Sequence, residues 1–371
     1  MAARKSPPFR ADHVGSLLRP EELKKAREEA DSGKLPAAKL KEIEDRCIRD
    51  AVKLQEDVGL EAITDGEFRR KHWSNDFLGG IEGITFTQGM ATTFRSKRGE
   101  TPFRPTALKI TGKLKRSKPI SVDHFKYVKS VTKKTPKQCI PSPTLVHFRS
   151  GRPGIDAKAY PDMGEFYADL ARVYAEEIKD LAAAGCRYVQ LDDTDFAYLC
   201  DPKFRDMAKQ ICIDPDKVHD EYSKLINDVI KTKPKDMTVG VHVCRGNHAS
   251  SWAAEGGYEP VAEALFNRYD FDAYFLEYDS DRSGDFRPLR FVPKGNKTVV
   301  LGLVTSKEPQ LEPKDALKRR IDEASKFVAM DQLCISPQCG FASTSIGNLM
   351  TVDDEKKKLR LCVEIAQEVW G

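Results

Sequence analysis

Short apolar runs alternate with longer amphipathic stretches along most of the chain. The runs at 10–16, 60–65, 138–143, 187–192, 238–244, 272–277, 298–303 and 332–336 are bounded by polar and turn residues, which predicts eight strands. Between them, 36–58, 163–184, 215–232, 258–268, 313–329 and 353–370 carry apolar residues at three-to-four spacing and predict helices. In the last of these, Leu359, Cys362, Val363, Ala366 and Val369 share one face, and Asp353 or Asp354 is the expected N-cap. Strands alternating with helices are parallel βα units, and eight of them are the number that closes a (β/α)8 TIM barrel. An open doubly wound sheet is the alternative, with its site at a switch point. No G-x-G-x-x-G follows any strand and no G-x-x-x-x-G-K-[ST] is present, which removes the usual nucleotide signatures.

Residues 84–137 break the alternation. ITFTQG, TTFRSKRGETPFR and ALKITGKLK read as a β-excursion on the barrel, and the Lys-rich stretch to Gln138 reads as a solvated surface or a rim for an anionic substrate tail.

Composition narrows the class. The chain has 371 residues, 40% hydrophobic and 32% charged, with no apolar run of ~18 residues, so a membrane-spanning helix is excluded. Lys+Arg is 61 against Asp+Glu 57, and this near balance gives no case for nucleic acid. The length suits one barrel domain over 1–371 with about 100 residues of decoration. Nine irregularly spaced cysteines and a start without an apolar h-region point to a reducing, cytoplasmic setting with free thiols.

The candidate chemistry gathers at strand ends. His242 and Cys244 close GVHVC and, two apart on a strand, point to one face. In a barrel, strand C-termini form the mouth where active sites sit. Glu277 ends FLE and Cys339 follows LCISPQ, so four ligand types suited to zinc converge on one mouth. Each residue alone also has an ordinary reading: Glu277 in an ion pair, Cys339 in a buried turn.

GVHVC, FLEYD and SPQCGF resemble the zinc-site segments of the cobalamin-independent methionine synthase superfamily, in the catalytic barrel and most closely in its short single-barrel branch. HVGSLLRP, TDGEFRR, YVQLDD, KRRIDEASKFV and EIAQEVWG extend the resemblance over nearly the whole chain. It implies a barrel of the methionine synthase and uroporphyrinogen decarboxylase type. It also implies zinc ligands at His242, Cys244, Glu277 and Cys339, and homocysteine binding by Ser16, Glu67 and Asp192. The implied reaction is attack of a zinc-activated thiolate on the methyl group of 5-methyltetrahydropteroyltri-L-glutamate, giving methionine.

Three departures from the family pattern matter. The chain has no room for the second barrel of the full-length family. The family's proton-donating histidine corresponds to GLVTSKEP, with Val304 and Thr305, leaving Asp193 and Asp195 as candidate acids. The tryptophan near the pterin corresponds to Phe148, which can still stack. Two rival readings follow: a zinc-dependent thiol alkyltransferase using an epoxide or another donor, and a non-catalytic zinc-binding barrel. Asp65 stands where the family motif has histidine. His13, His72, His124, His147, His219 and His248 acquire no role from the sequence, and Trp73 is a candidate for lining the pocket.

Overall fold

The computed structural model describes residues 4–371, and in it the six apolar runs from 138 onward form one parallel sheet. Its members are β7 (Gln138–Pro141), β8 (Tyr188–Asp193), β9 (Thr238–Val243), β10 (Ala273–Glu277), β11 (Thr298–Val304) and β12 (Leu333–Pro337), paired in sequence order. Nearly every residue in them is buried, the mark of strands covered on both faces. The remaining staves are shorter. β1 is Ala62–Ile63 and pairs in parallel with β6 (Thr135–Pro136), which runs on into β7. The predicted strand at 10–16 contributes a single parallel bridge, Ala11 to Ile335, that joins the chain start to β12. Gly15 O accepts from Thr64 Oγ1 at 2.7 Å and Leu17 N donates to Gly66 O at 3.0 Å, so the barrel closes there through loops.

The excursion holds β2 (Glu82–Gln88), β3 (Thr92–Ser96), β4 (Gly99–Phe103) and β5 (Thr106–Lys115). β2 pairs antiparallel with β5, and β3 with β4. The Lys-rich stretch is not all solvated surface: Val122–Val131 is a helix that buries Val122, Phe125 and Val128 at three-residue spacing.

The predicted helices form with ends shifted by a few residues; 215–232 shortens to Val218–Ile230 and 313–329 to Lys314–Ser325. The closing helix, Val352–Trp370, is capped by Thr351 rather than Asp353 or Asp354. Thr351 and Asp354 form a reciprocal capping box, which satisfies two backbone N–H groups at once.

One buried carboxyl ties that helix to the barrel mouth. Glu355 is 1% exposed and accepts from Leu18 N at 2.7 Å. Burial pushes its pKa up to about 8, above the ordinary 4.5. A carboxyl with a raised folded pKa lends stability at low pH that is lost as pH rises through the folded value. Glu355→Gln is therefore expected to narrow the difference in denaturant stability between pH 5.5 and pH 8.5. An unchanged difference would refute the assignment.

Candidate functional site

The four ligand candidates sit at the C-terminal ends of three strands of the sheet. His242 lies in β9, Cys244 directly after it, Glu277 at the end of β10, and Cys339 two residues after β12. One atom from each lies within 4.8 Å of the others. His242, Glu277 and Cys339 are buried and Cys244 is half-buried. Cys244 Sγ and Cys339 Sγ are 3.6 Å apart.

The electrostatics are those of a compact thiol–imidazole–carboxylate group. A hydrogen bond from Cys244 is the largest effect on Cys339 and, with the His242 charge and against burial, holds its thiol well below the usual range. The same contact, with burial, pushes Cys244 up. Burial alone would raise Glu277. The charges of Arg282, Lys307 and His242 and the backbone N–H of Arg245 overcome it and lower the carboxyl. Arg245 N donates to Glu277 Oε1 at 2.7 Å and Arg282 Nη2 to Oε2 at 3.0 Å, which fixes the carboxylate.

His242 supplies the test of whether a metal fits. It is 2% exposed, yet neither ring nitrogen has a hydrogen-bond partner among the described residues. A buried imidazole with both nitrogens unpaired is costly unless one of them binds something. Two sulfurs, one imidazole and one carboxylate are a donor set suited to zinc.

A second acidic cluster lies beside the first. Glu67, Cys139 and Asp192 also bring ligand-type atoms within 4.8 Å of one another. Asp192 pairs in register with His242 across β8 and β9. Gln190 Nε2 donates to Asp192 Oδ1 at 2.7 Å. Glu67 holds φ at 62°, a left-handed conformation that is strained for a residue with a side chain. Asp65 secures it, accepting from Glu67 N at 2.8 Å through Oδ1. Burial raises Glu67 to about 7, with Asp192 and Asp65 adding to the rise and Arg70 opposing it. Burial also raises Asp192.

Ser16 closes this end. Its hydroxyl accepts from Ala342 N at 3.3 Å. A Cβ at Gly340 would come within 2.0 Å of Ser16 Oγ, so only glycine permits this approach. Arg19, unremarked in the sequence, binds the carbonyls of Glu67, Arg70, Ala342 and Thr344 and locks the two loops together. Its place in the HVGSLLRP motif was the available signal.

Ser16, Glu67, Asp192, His242, Cys244 and Cys339 line one cavity of about 310 Å³, and Glu277 lies behind it. Its outer wall is this chain's own β3–β4 hairpin, through Phe94 and Phe103, facing Tyr198, Phe204 and Trp73. The other sequence candidates fall elsewhere. Phe148 is buried against Tyr198 and is not among the lining residues. Asp193 and Asp195 are not among them either. Asp193 accepts from Thr144 Oγ1 at 2.6 Å and from the backbone N–H of Asp195 and Phe196, which makes it a local cap. Asp193 follows Asp192 in a strand, so the two point to opposite faces.

Comparison with known proteins agrees with this layout. Residues 9–368 match the family described as "Cobalamin-independent synthase, Catalytic domain". The uncharacterized protein YxjH of Bacillus subtilis is 43% identical, over 98% of this chain and 95% of that one. The solved structure of a candidate vitamin-B12-independent methionine synthase from Listeria monocytogenes superposes with a TM-score of 0.80 at 38% identity, covering 99% of this chain and 100% of that one. A 5-methyltetrahydropteroyltriglutamate–homocysteine methyltransferase of Thermotoga petrophila is 22% identical over 96% of this chain but only 45% of its own length.

Proposed function

Because the chain belongs to the cobalamin-independent methionine synthase family, whose members include homocysteine methyltransferases, we propose that it methylates a small thiol, homocysteine in the first instance, with zinc held by His242, Cys244, Glu277 and Cys339. The observation that carries this reading is the unpaired, buried His242 among three further ligand groups, next to a carboxylate pair in one cavity. Zinc in that position would supply the thiolate, since a free thiol with a pKa of ~8.5 is mostly protonated at neutral pH and coordination deprotonates it.

The rest falls to the chain's own residues. Glu67 and Asp192 offer carboxylates to the substrate ammonium group, and Ser16 offers its hydroxyl to the substrate carboxylate. The Arg245 backbone N–H and Arg282 orient Glu277. The β3–β4 hairpin limits water over the reacting atoms. The methyl donor in this reading is 5-methyltetrahydrofolate. In a second reading the thiol site is kept and the donor is an epoxide or another alkyl compound. The observation behind that alternative is the end of β11, where Val304 and the following Thr305 offer no acidic proton.

We take the chain to work as one barrel unit in a reducing compartment. All nine cysteines are free, and among the described residues no helix is long and apolar enough to cross a membrane. The test is a titration of the cobalt-substituted protein with homocysteine. A thiolate-to-cobalt charge-transfer band is expected. No band with homocysteine, but one with another thiol, would overturn the substrate assignment.

A further inference from the structure

Three histidines line the cavity: His72, His242 and His248. His242 belongs to the four-ligand group. The His72 Nδ1 faces the N–H groups of Ser74 and Asn75 at 3.3 and 3.4 Å, and burial, with the charges of Arg149 and His248, pulls its pKa down to about 3. It is committed as an acceptor. His248 remains, half-buried, with Nδ1 shielded from solvent and without a partner.

The surroundings of His248 look built to hold that ring in place. The ring lies against Phe94 and Phe103 of the hairpin, with centroids 5.8 and 5.1 Å away. Ala249 and Ser250 follow at φ 46° and 65°, two consecutive non-glycine residues in the left-handed region. Such a turn is strained and persists only where its surroundings impose it. Here they do. Lys307, 2% exposed, donates to Asn247 Oδ1 at 3.0 Å and to Ser251 O at 3.3 Å. Asn348 Oδ1 accepts from Ser250 N at 3.0 Å. The hairpin is stitched to the same loop by reciprocal backbone bonds between Arg95 and Trp252, at 2.7 and 2.8 Å.

We propose that His248 is the proton carrier of the alkyl transfer, taking the proton that the substrate thiol gives up and handing it to the donor's leaving atom. The inference rests on the thiol-methyltransferase reading. The balance is closed. The thiol S–H breaks and its proton goes to the imidazole. The imidazolium passes that proton to X, and His248 ends neutral as it began. The S–CH3 bond then forms as the CH3–X bond breaks, its electron pair leaving on the protonated X. No oxidant or external acid is needed.

Charge supports the order of events. Burial lowers the pKa of His248, so at rest the ring is neutral and able to accept. A bound thiolate adds negative charge to the cavity and favours the imidazolium. The cavity that His248 lines also holds His72, Arg104, Arg149, Glu67 and Asp192 besides the metal-ligand candidates, and Arg98 of the hairpin turn and Glu308 share an adjoining surface recess with it. Phe94 and Phe103 of the hairpin lie against its ring.

The test compares zinc-loaded wild type with His248→Gln. On adding homocysteine in weak buffer at pH 7.5, the variant is expected to release about one proton per site and the wild type clearly fewer. Turnover with 5-methyltetrahydrofolate, whose amine leaves only when protonated, should fall ~100-fold or more. Alkylation by methyl iodide, whose leaving group needs no proton, should stay within about threefold. Equal proton release, or equal loss with both donors, would overturn the proposal. His248→Asn with an unchanged thermal midpoint guards against misfolding. If homocysteine binds neither protein, the methyltransferase reading itself fails and takes this proposal with it.

Discussion

If zinc is held as proposed, Cys339→Ser is expected to strip the protein of it and to reduce methyl transfer by at least ~10³-fold, because the change would remove a metal ligand and not merely a supporting contact. The physical case rests on which thiol holds the negative charge. The hydrogen bond from Cys244 and the His242 charge hold the Cys339 thiol well below the usual range against burial, and its sulfur lies 3.6 Å from that of Cys244. A serine hydroxyl in its place stays protonated and is a poor, hard donor beside a soft partner. Cys212→Ser is the control, since Cys212 is exposed and far in the chain from every strand end named above. Zinc content by atomic emission and homocysteine methylation are the readouts. A serine variant with full zinc and full activity would remove the whole site assignment.

Much of this site could be read before the fold. The six runs from 138 onward are continuous, buried apolar stretches, and periodicity finds these well. His242 and Cys244 occupy alternate positions in one of them, Glu277 ends another and Cys339 follows shortly after a third, so barrel geometry alone brings them to one mouth. The first two staves were harder. Segment 10–16 looks like a strand by composition, but its ladder stops at the Ala11–Ile335 bridge, where Asp12 N donates to Ile335 O, and beyond it His13 meets Ala62 O of β1 through its side chain. The helix Val122–Val131 was hidden because its three buried residues are outnumbered by lysines and polar groups.

What stayed illegible depends on partners distant in sequence. Lys307 looks like any surface lysine until Asn247 and Ser251 surround it, some 60 positions away. Phe94 and Phe103 belong to an excursion with no barrel periodicity, yet they wall the cavity. The Thermotoga methyltransferase matches this chain over 45% of its length, and in the shorter chain the outer wall is built from within. Asp193 and Asp195 stand as candidate acids only because the family's histidine is missing, with no motif behind them. The period-two rule argued against Asp193 once Asp192 faced the cavity.

Glu67→Gln is expected to weaken homocysteine binding ~100-fold, and the double change with Asp192→Asn ~10³-fold, since in the proposed pose each would remove a charge-assisted contact to a buried ammonium group. The prediction has a pH signature. Burial and the charges of Asp192 and Asp65 raise Glu67 to about 7, so its carboxylate is present above that pH and lost below it. Homocysteine affinity of the wild type should therefore drop as pH falls from 8 to 6. In Glu67→Gln that part of the dependence should vanish. A thiol without an amino group, 4-mercaptobutyrate, provides the contrast: its affinity should respond far less to either substitution, because the four metal-ligand candidates are untouched. Parallel losses for both thiols would mean that the carboxylates shape the cavity without recognising the ammonium. Affinity of the wild type that rises as pH falls would contradict the ionic role of Glu67 outright.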